Sequence, residues 1–258
     1  MKEDNRLDDL ILDLQNVTYR VNDITLLHDV SFSLKRGDNL LLFGPEGSGV
    51  TNLFNLIVRT DSGYTGEVLF RGESLKHLDY FGQLMHKKDI GYVHGDYGLI
   101  SNMTVEQNIS LPLEYHSKMS AANIKKYVGK IIYDLNLDHC RKLRPIDLTR
   151  SEMLKTTFAR SLVMDPDLLY LEYAFEDQCP LNIKTMTGIL NERSKLPDKS
   201  LIIITYYPWN FIDISDLFIM FFNGKIVFKG TREDFLNSDN PYLLQYKNKS
   251  IEGPMVIL

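Results

Sequence analysis

The chain has 258 residues, 44% of them apolar and 24% charged, with a formal net charge of −5 at pH 7. That length fits one α/β domain with an inserted subdomain. The acidic balance argues against nucleic acid as a partner, the polar start Met1–Asp9 is no signal peptide, and no window reaches the roughly 18–20 apolar residues that span a bilayer.

In chain order, residues 11–20 alternate apolar and polar as a half-buried strand does. Asn22-Asp23 offers a turn, and Thr25 to Leu34 continues as strand, with Val30, Phe32 and Leu34 spaced by two. Lys35-Arg36-Gly37-Asp38 leads into Leu40–Phe43, an apolar run that reads as a buried strand. Three glycines follow, Gly44, Gly47 and Gly49, and then a helix opening at Thr51. This is the layout of a phosphate-binding loop, G-x-x-x-x-G-K-S/T, whose glycines turn backbone N–H groups toward phosphate oxygens at a positive helix N-terminus. Gly44, Gly47, Ser48, Gly49, Val50 and Thr51 are the candidate contacts, but the lysine position holds Val50. The backbone recipe remains and the formal charge is gone. Residues 66–72 form another short strand between glycines.

From about 96 to 160 the period becomes helical. Ser101 to Thr104 supplies cap candidates ahead of Val105–Leu113, and Ser120 caps a second helix with Ile124, Tyr127, Val128, Ile131, Ile132 and Leu135 at helical spacing. Strands return at 168–171 and 201–205 as continuous apolar runs, which suit a parallel sheet covered on both faces. Asn223-Gly224 between apolar runs signals a hairpin, and the tail from Asn237 is polar. The two cysteines, Cys140 and Cys179, form no CxxC and predict a reducing compartment without structural zinc; the histidines show no ligand spacing.

The order of these elements resembles the nucleotide-binding subunit of ABC transporters over nearly the whole chain. Tyr19 stands where that family stacks an aromatic on adenine, with a plain sheet tyrosine as the alternative. Residues 91–96 match the Q-loop region, Leu148-Thr149-Arg150-Ser151-Glu152 the signature LSGGQ, residues 168–174 the Walker B strand, and Thr205-Tyr206 the switch histidine. The resemblance implies a P-loop (RecA-like) α/β core over 1–95 and 161–236, with an antiparallel β subdomain, an inserted helical subdomain over 96–160 and a tail over 237–258. Residues 104–116 and the tail 240–254 resemble the ATPases of Mce-protein lipid transporters, the Mla type. In that group the subunit dimerises beneath a phospholipid permease and its tail reaches across to the other protomer. The implied partners are therefore a transmembrane permease and a second cassette, an intact paralogue or a copy, on the cytoplasmic side of the membrane. A surface of Leu99, Ile100 and Met103 either receives the permease or joins the core.

The departures from the family pattern are systematic. A charged hydrogen bond is worth roughly 1.5–3 kcal/mol, so losing the lysine at Val50 weakens nucleotide binding. Thr51 keeps the hydroxyl for Mg²⁺, and the Walker B aspartate is Glu172, a carboxylate one methylene too long for a strict octahedral shell. The Q-loop glutamine falls at Gly95, with His94 one residue away. The general base is Tyr173, a poor proton acceptor near neutrality, and the switch histidine is Tyr206. The D-loop aspartate becomes Cys179. In the signature, Thr149 could replace the serine, but Arg150 and Ser151 replace glycines. Tyr173 and Tyr206 are expected to pack together. The expectation is a hydrolysis-deficient scaffold subunit that requires no cofactor and binds Mg·ATP weakly if at all. The alternative is a slow ATPase that uses Glu172 for Mg²⁺ and Arg150 for charge.

Overall fold

A computed structural model describes residues 9–256; the first eight residues of the expected core and the last two of the tail, Ile257 and Leu258, lie outside the described residues. Two sheets carry the chain. The first is antiparallel, in the order β2 (Ile24–Lys35), β1 (Leu10–Val21), β4 (Tyr64–Phe70), β5 (Glu73–Ser74). Its hairpin turns at Asn22-Asp23, where both residues have positive φ, 48° and 66°. That geometry matches strand twist in a two-residue connection.

The second sheet has the order β10 (Lys225–Thr231), β9 (Leu217–Phe222), β3 (Asn39–Phe43), β8 (Ser200–Thr205), β7 (Leu168–Glu172), β6 (Ile90–His94). The β9–β10 hairpin, turned at Asn223-Gly224, is antiparallel, and the other pairs are parallel. Strands β3, β7 and β8 are buried at every position, because this parallel sheet is covered on both faces. One face packs against β1, β2, β4 and α1 (Asn52–Ile57), and the other against α6 (Pro180–Ser194), α7 (Arg232–Asn237) and α8 (Pro241–Asn248).

Three helices, α3 (Val105–His116), α4 (Ala121–Asp134) and α5 (Arg150–Leu162), enclose a separate apolar cluster from Val105 to Val163. Thr104 caps α3 in a reciprocal capping box with Gln107, and Ser120 caps α4. Ile124, Val128 and Ile132 turn inward, whereas Tyr127 stays 38% exposed. Leu99 packs against this helical cluster and against the core of the parallel sheet.

Four helices go beyond what the sequence pattern suggested, α6 and α7 among them. α2 (Tyr80–Asp89) lies in a stretch without a clear apolar period, capped by Asp79. α8 lies within the polar tail; Asn240 caps it and Pro241 occupies its first turn. The tail beyond α8 folds back on that helix as far as Met255. Gln245 is buried, its amide nitrogen donates to the carbonyl of Met255 at 2.9 Å, and its oxygen accepts the Met255 N–H at 2.8 Å. A buried amide left unpaired would cost about 1–3 kcal/mol, so the tail segment satisfies its own helix up to Met255.

Candidate functional site

The parallel register places four chain exits along one edge. Phe43 pairs with Thr205, Ile204 with Glu172, and Glu172 with His94. Gly44, Gly95, Tyr173 and Tyr206 therefore leave the sheet side by side at its C-terminal edge, where open α/β sheets hold ligands.

The loop from Gly44 to Thr51 keeps the backbone of an anion cradle. Among the described residues, the amides of Gly47, Gly49, Val50 and Thr51 donate to no protein acceptor, whereas Ser48 N–H donates to Pro45 O at 3.0 Å. Gly47 and Gly49 have φ of +73° and +91°. Gly49 sits with its Cα hydrogen against Leu26 O and Gly224; a Cβ there would meet them at 2.8 and 3.0 Å. The loop is tied to the β9–β10 hairpin by Gly224 N–H donating to Ser48 O at 2.8 Å, and the hairpin to β2 by His28 N–H donating to Gly224 O at 2.9 Å. Val50 is 1% exposed and joins the core cluster, so the lysine position points into protein. Thr51 is exposed ahead of α1, and its hydroxyl makes no cap bond.

Tyr19 is corrected from one of its two readings. It is 3% exposed, and its hydroxyl donates to Asp61 at 2.7 Å. Burial first, and then the Asp61 carboxylate, push the phenol up to about 12. A ring enclosed in the core offers no face to a base, so this is the sheet tyrosine.

The opposite wall is filled by side chains. Tyr173 stacks on Tyr206 with ring centroids 4.5 Å apart and 24° between planes. Tyr173 adopts φ +49°, a costly conformation for a bulky residue. A Cβ at Gly95 would lie 2.8 Å from the Tyr173 carbonyl oxygen, so the backbone that follows β7 leaves no room for a side chain at the Q-loop position. Glu172 is 4% exposed and accepts the Tyr92 hydroxyl at 2.9 Å. Burial raises its pKa; the Tyr92 bond and the nearby His94 act the other way. Tyr92 in turn stacks on Phe54 of α1 at 4.4 Å. His94 pairs with Asp96 at 2.9 Å and not with Glu172.

The signature stretch is engaged within its own chain. Thr149 caps α5 in a capping box with Glu152, whose Oε2 accepts from Thr149 N and Oγ1, each at 2.7 Å. Arg150 pairs with Asp177 at 3.0 Å. Leu148 belongs to the helical core, and Ser151 makes no side-chain hydrogen bond among the described residues. Cys179 is an exposed free thiol at the head of α6.

Three site residues escaped the sequence reading. Glu176 accepts Thr205 Oγ1 at 2.8 Å and Tyr206 N–H at 3.0 Å, fixing the switch loop, and burial raises its pKa. Tyr246 of α8 donates to Tyr206 O at 2.9 Å, with Gly44 O 3.3 Å away, so the tail helix braces both loop exits. Asp177 holds Arg150. The Asn240-Pro241 cap signal could have exposed α8; nothing in the spacing of Glu176 or Asp177 marks their partners.

The donor set fits a phosphate group in its backbone and not in its side chains. The amides of Gly47, Gly49, Val50 and Thr51 are free among the described residues, but no cation stands at position 50, no carboxylate stands at position 173, and one oxygen of Glu172 is taken by Tyr92. Without a cation at position 50 or a carboxylate at position 173, the side chains do not match the family's catalytic Mg·ATP set, and no hydrolytic step follows from them.

A P-loop cassette with two sheets and an inserted helical unit defines the class. The family model described as ABC transporter matches residues 27–175, more than half of the chain. The chain belongs to the ABC transporter family, as one of its cassette subunits. It is 28% identical over 246 residues to the methionine import ATP-binding protein MetN 1 of Pseudomonas fluorescens, covering 93% of this chain and 73% of that one. It is 21% identical over 245 residues to the intermembrane phospholipid transport system ATP-binding protein MlaF of Haemophilus influenzae, covering 95% and 93%. Among solved structures, the ATP-binding cassette MJ0796, a dimer bound to ADP and Pi, superposes with TM-score 0.79 at 21% identity, covering 86% of this chain and 98% of that one. At that identity the likeness establishes the fold.

Proposed function

We propose that this chain is a hydrolysis-deficient cassette protomer of a membrane transporter, serving assembly beneath a permease and not the burning of ATP. One observation carries it: at the lysine, Walker B, general-base, switch and signature positions, the side chains present are engaged by this same protein. Val50 is in the core, Tyr173 stacks on Tyr206, Glu172 holds Tyr92, and Arg150 holds Asp177. Phosphoryl transfer depends on positioned charge, and losing a positioned base alone costs roughly 10²–10⁴ in rate.

The likeness to MlaF, over almost the full length of both chains, supports phospholipid as the cargo class. None of the described helices is long and apolar enough to cross a membrane, which supports attachment through a permease. ATP-driven work would fall to an intact second cassette facing this one. The free loop amides favour weak nucleotide or phosphate contact without turnover. The slow-ATPase alternative has less support, because its two key groups are paired elsewhere.

The test is phosphate release by the purified chain with Mg·ATP, beside a nucleotide titration with and without Mg²⁺. Release at background, with binding unaffected by Mg²⁺, is expected. Robust Mg²⁺-dependent release, abolished by Thr51→Ala or Glu172→Ala, would overturn the proposal. Purifying the complex with its permease and counting cassette types then decides whether the second protomer is a copy or a paralogue.

A further inference from the structure

The degenerate signature stretch carries a second feature that the cassette fold does not explain. His139 and Cys140 end a 3₁₀ turn (Asp138–Cys140) that packs beside the start of α5, and Glu152 lies in the first turn of that helix. His139 Nδ1 or Nε2, Cys140 Sγ and a Glu152 carboxylate oxygen all lie within 4.8 Å of one another. His139 Nε2 is 2.6 Å from Glu152 Oε1. We propose that these three side chains form a binding site for a borderline transition-metal ion of the zinc or cobalt(II) kind, with water completing the coordination.

The donor types set the class of ion. A thiolate, an imidazole and a carboxylate together suit zinc-like ions, whereas magnesium and calcium take oxygen alone. The two oxygens of Glu152 have separate tasks. Oε2 accepts both bonds from Thr149 and caps α5, while Oε1 faces His139. An ion can therefore replace the proton between His139 and Oε1 and leave the cap in place. The histidine side chain is 65% exposed, so it has room to turn by the small amount needed. Cys140 is fully buried, and its thiol donates to Leu137 O at 3.3 Å. Metal binding releases that proton to solvent. The ligands stand at 139, 140 and 152, a spacing outside the usual zinc patterns, which is why the sequence alone predicted no structural zinc.

The consequence is mechanical. A bound ion would fasten the 3₁₀ turn to the first turn of α5 and hold the signature stretch of this protomer in one position.

The experiment uses the full chain, freed of metal and kept reduced, titrated with cobalt(II) and followed by the sulfur-to-cobalt charge-transfer absorption in the near ultraviolet. One equivalent with that band is expected, displaced by zinc. Cys140→Ser should abolish the band, and Cys179→Ser should leave it unchanged. His139→Gln changes an exposed side chain that the fold does not need, and should weaken binding by at least about tenfold to a hundredfold. Glu152→Gln keeps a capping-box residue and should also weaken binding. Zinc at a fixed concentration should raise the melting temperature of the wild-type chain by more than that of His139→Gln. Absence of the band in the wild type, its survival in Cys140→Ser, or equal affinity in His139→Gln would each overturn the proposal.

Discussion

Along the C-terminal edge of the parallel sheet, the loop from Gly44 to Thr51 and the wall formed by Gly95, Glu172, Tyr173 and Tyr206 face the same space and have parted ways. In the loop the backbone is that of a phosphate cradle, and only the side chain at position 50 differs from the pattern. In the wall nearly every side chain differs, and the replacements touch one another. The difference has a packing cause. Gly44, Gly49 and Gly224 lie against the backbone oxygens of Phe221, Leu26 and Leu26 respectively, so the loop conformation is held by the fold whether or not a phosphate is present. The wall is joined by side-chain contacts, Tyr173 on Tyr206 and Tyr92 with Glu172, so its side chains could be exchanged as a set.

Gly224→Ala tests the loop and should have the largest effect. Gly224 has φ +71°, and a new Cβ would lie 2.4 Å from Leu26 O. Strain and overlap together should cost about 2–4 kcal/mol in urea unfolding. Gly47 has φ +73° with open space around it. Gly47→Ala should therefore cost only about 1–2 kcal/mol, the left-handed backbone term alone. Equal costs for the two would mean that the loop is not braced by the hairpin. Val50→Lys should follow. The side chain there is 1% exposed. An ammonium at that position forces the lysine to reach out of the core and should cost roughly 1–3 kcal/mol. It should leave phosphate release at background; a gain of turnover from that change alone would show that the wall is competent after all.

The stack of Tyr173 on Tyr206 gives a smaller, sharper measurement. A double-mutant cycle to leucine at both positions should return a coupling of about 0.5–1.5 kcal/mol. A coupling of zero would mean the rings merely share a boundary, and the wall would not be a unit.

Much of this was legible before any coordinates. The buried runs at Leu40–Phe43, Leu168–Leu171 and Leu201–Thr205 became parallel strands because continuous apolarity has few other homes in so short a run. Thr104 and Ser120 capped the helices they preceded. What stayed hidden were pairings between distant residues. Tyr92 with Glu172, Glu176 with the switch loop and Asp177 with Arg150 depend on sheet register and loop paths, which no local period encodes. Tyr19 had two readings because alternation places a tyrosine on a strand without saying which face is covered. Tyr246 was missed for a different reason: the polar look of the tail outweighed its Asn-Pro helix start.

The finest probe of the wall is the charge on Glu172. Burial is the main influence on its carboxyl and holds its pKa above the ordinary glutamate value, while Tyr92 and His94 pull it partly back. A carboxyl with a raised folded-state value binds its proton more readily in the folded chain than in the unfolded one. Its contribution to stability is therefore complete below the unfolded value, about 4.3, and is lost as pH rises through the folded value. Glu172→Gln removes that titration and keeps an acceptor for the Tyr92 hydroxyl. The variant should gain stability relative to wild type between about pH 4 and neutrality, with the gain levelling off once Glu172 is ionised. Glu176 is raised in the same sense, so the comparison must be the difference between the two proteins and not the wild-type curve alone. A difference that stays flat across this range would mean that Glu172 keeps its ordinary acidity. A difference of opposite slope would mean that a cation stabilises the carboxylate, and the wall would then be a working acidic site.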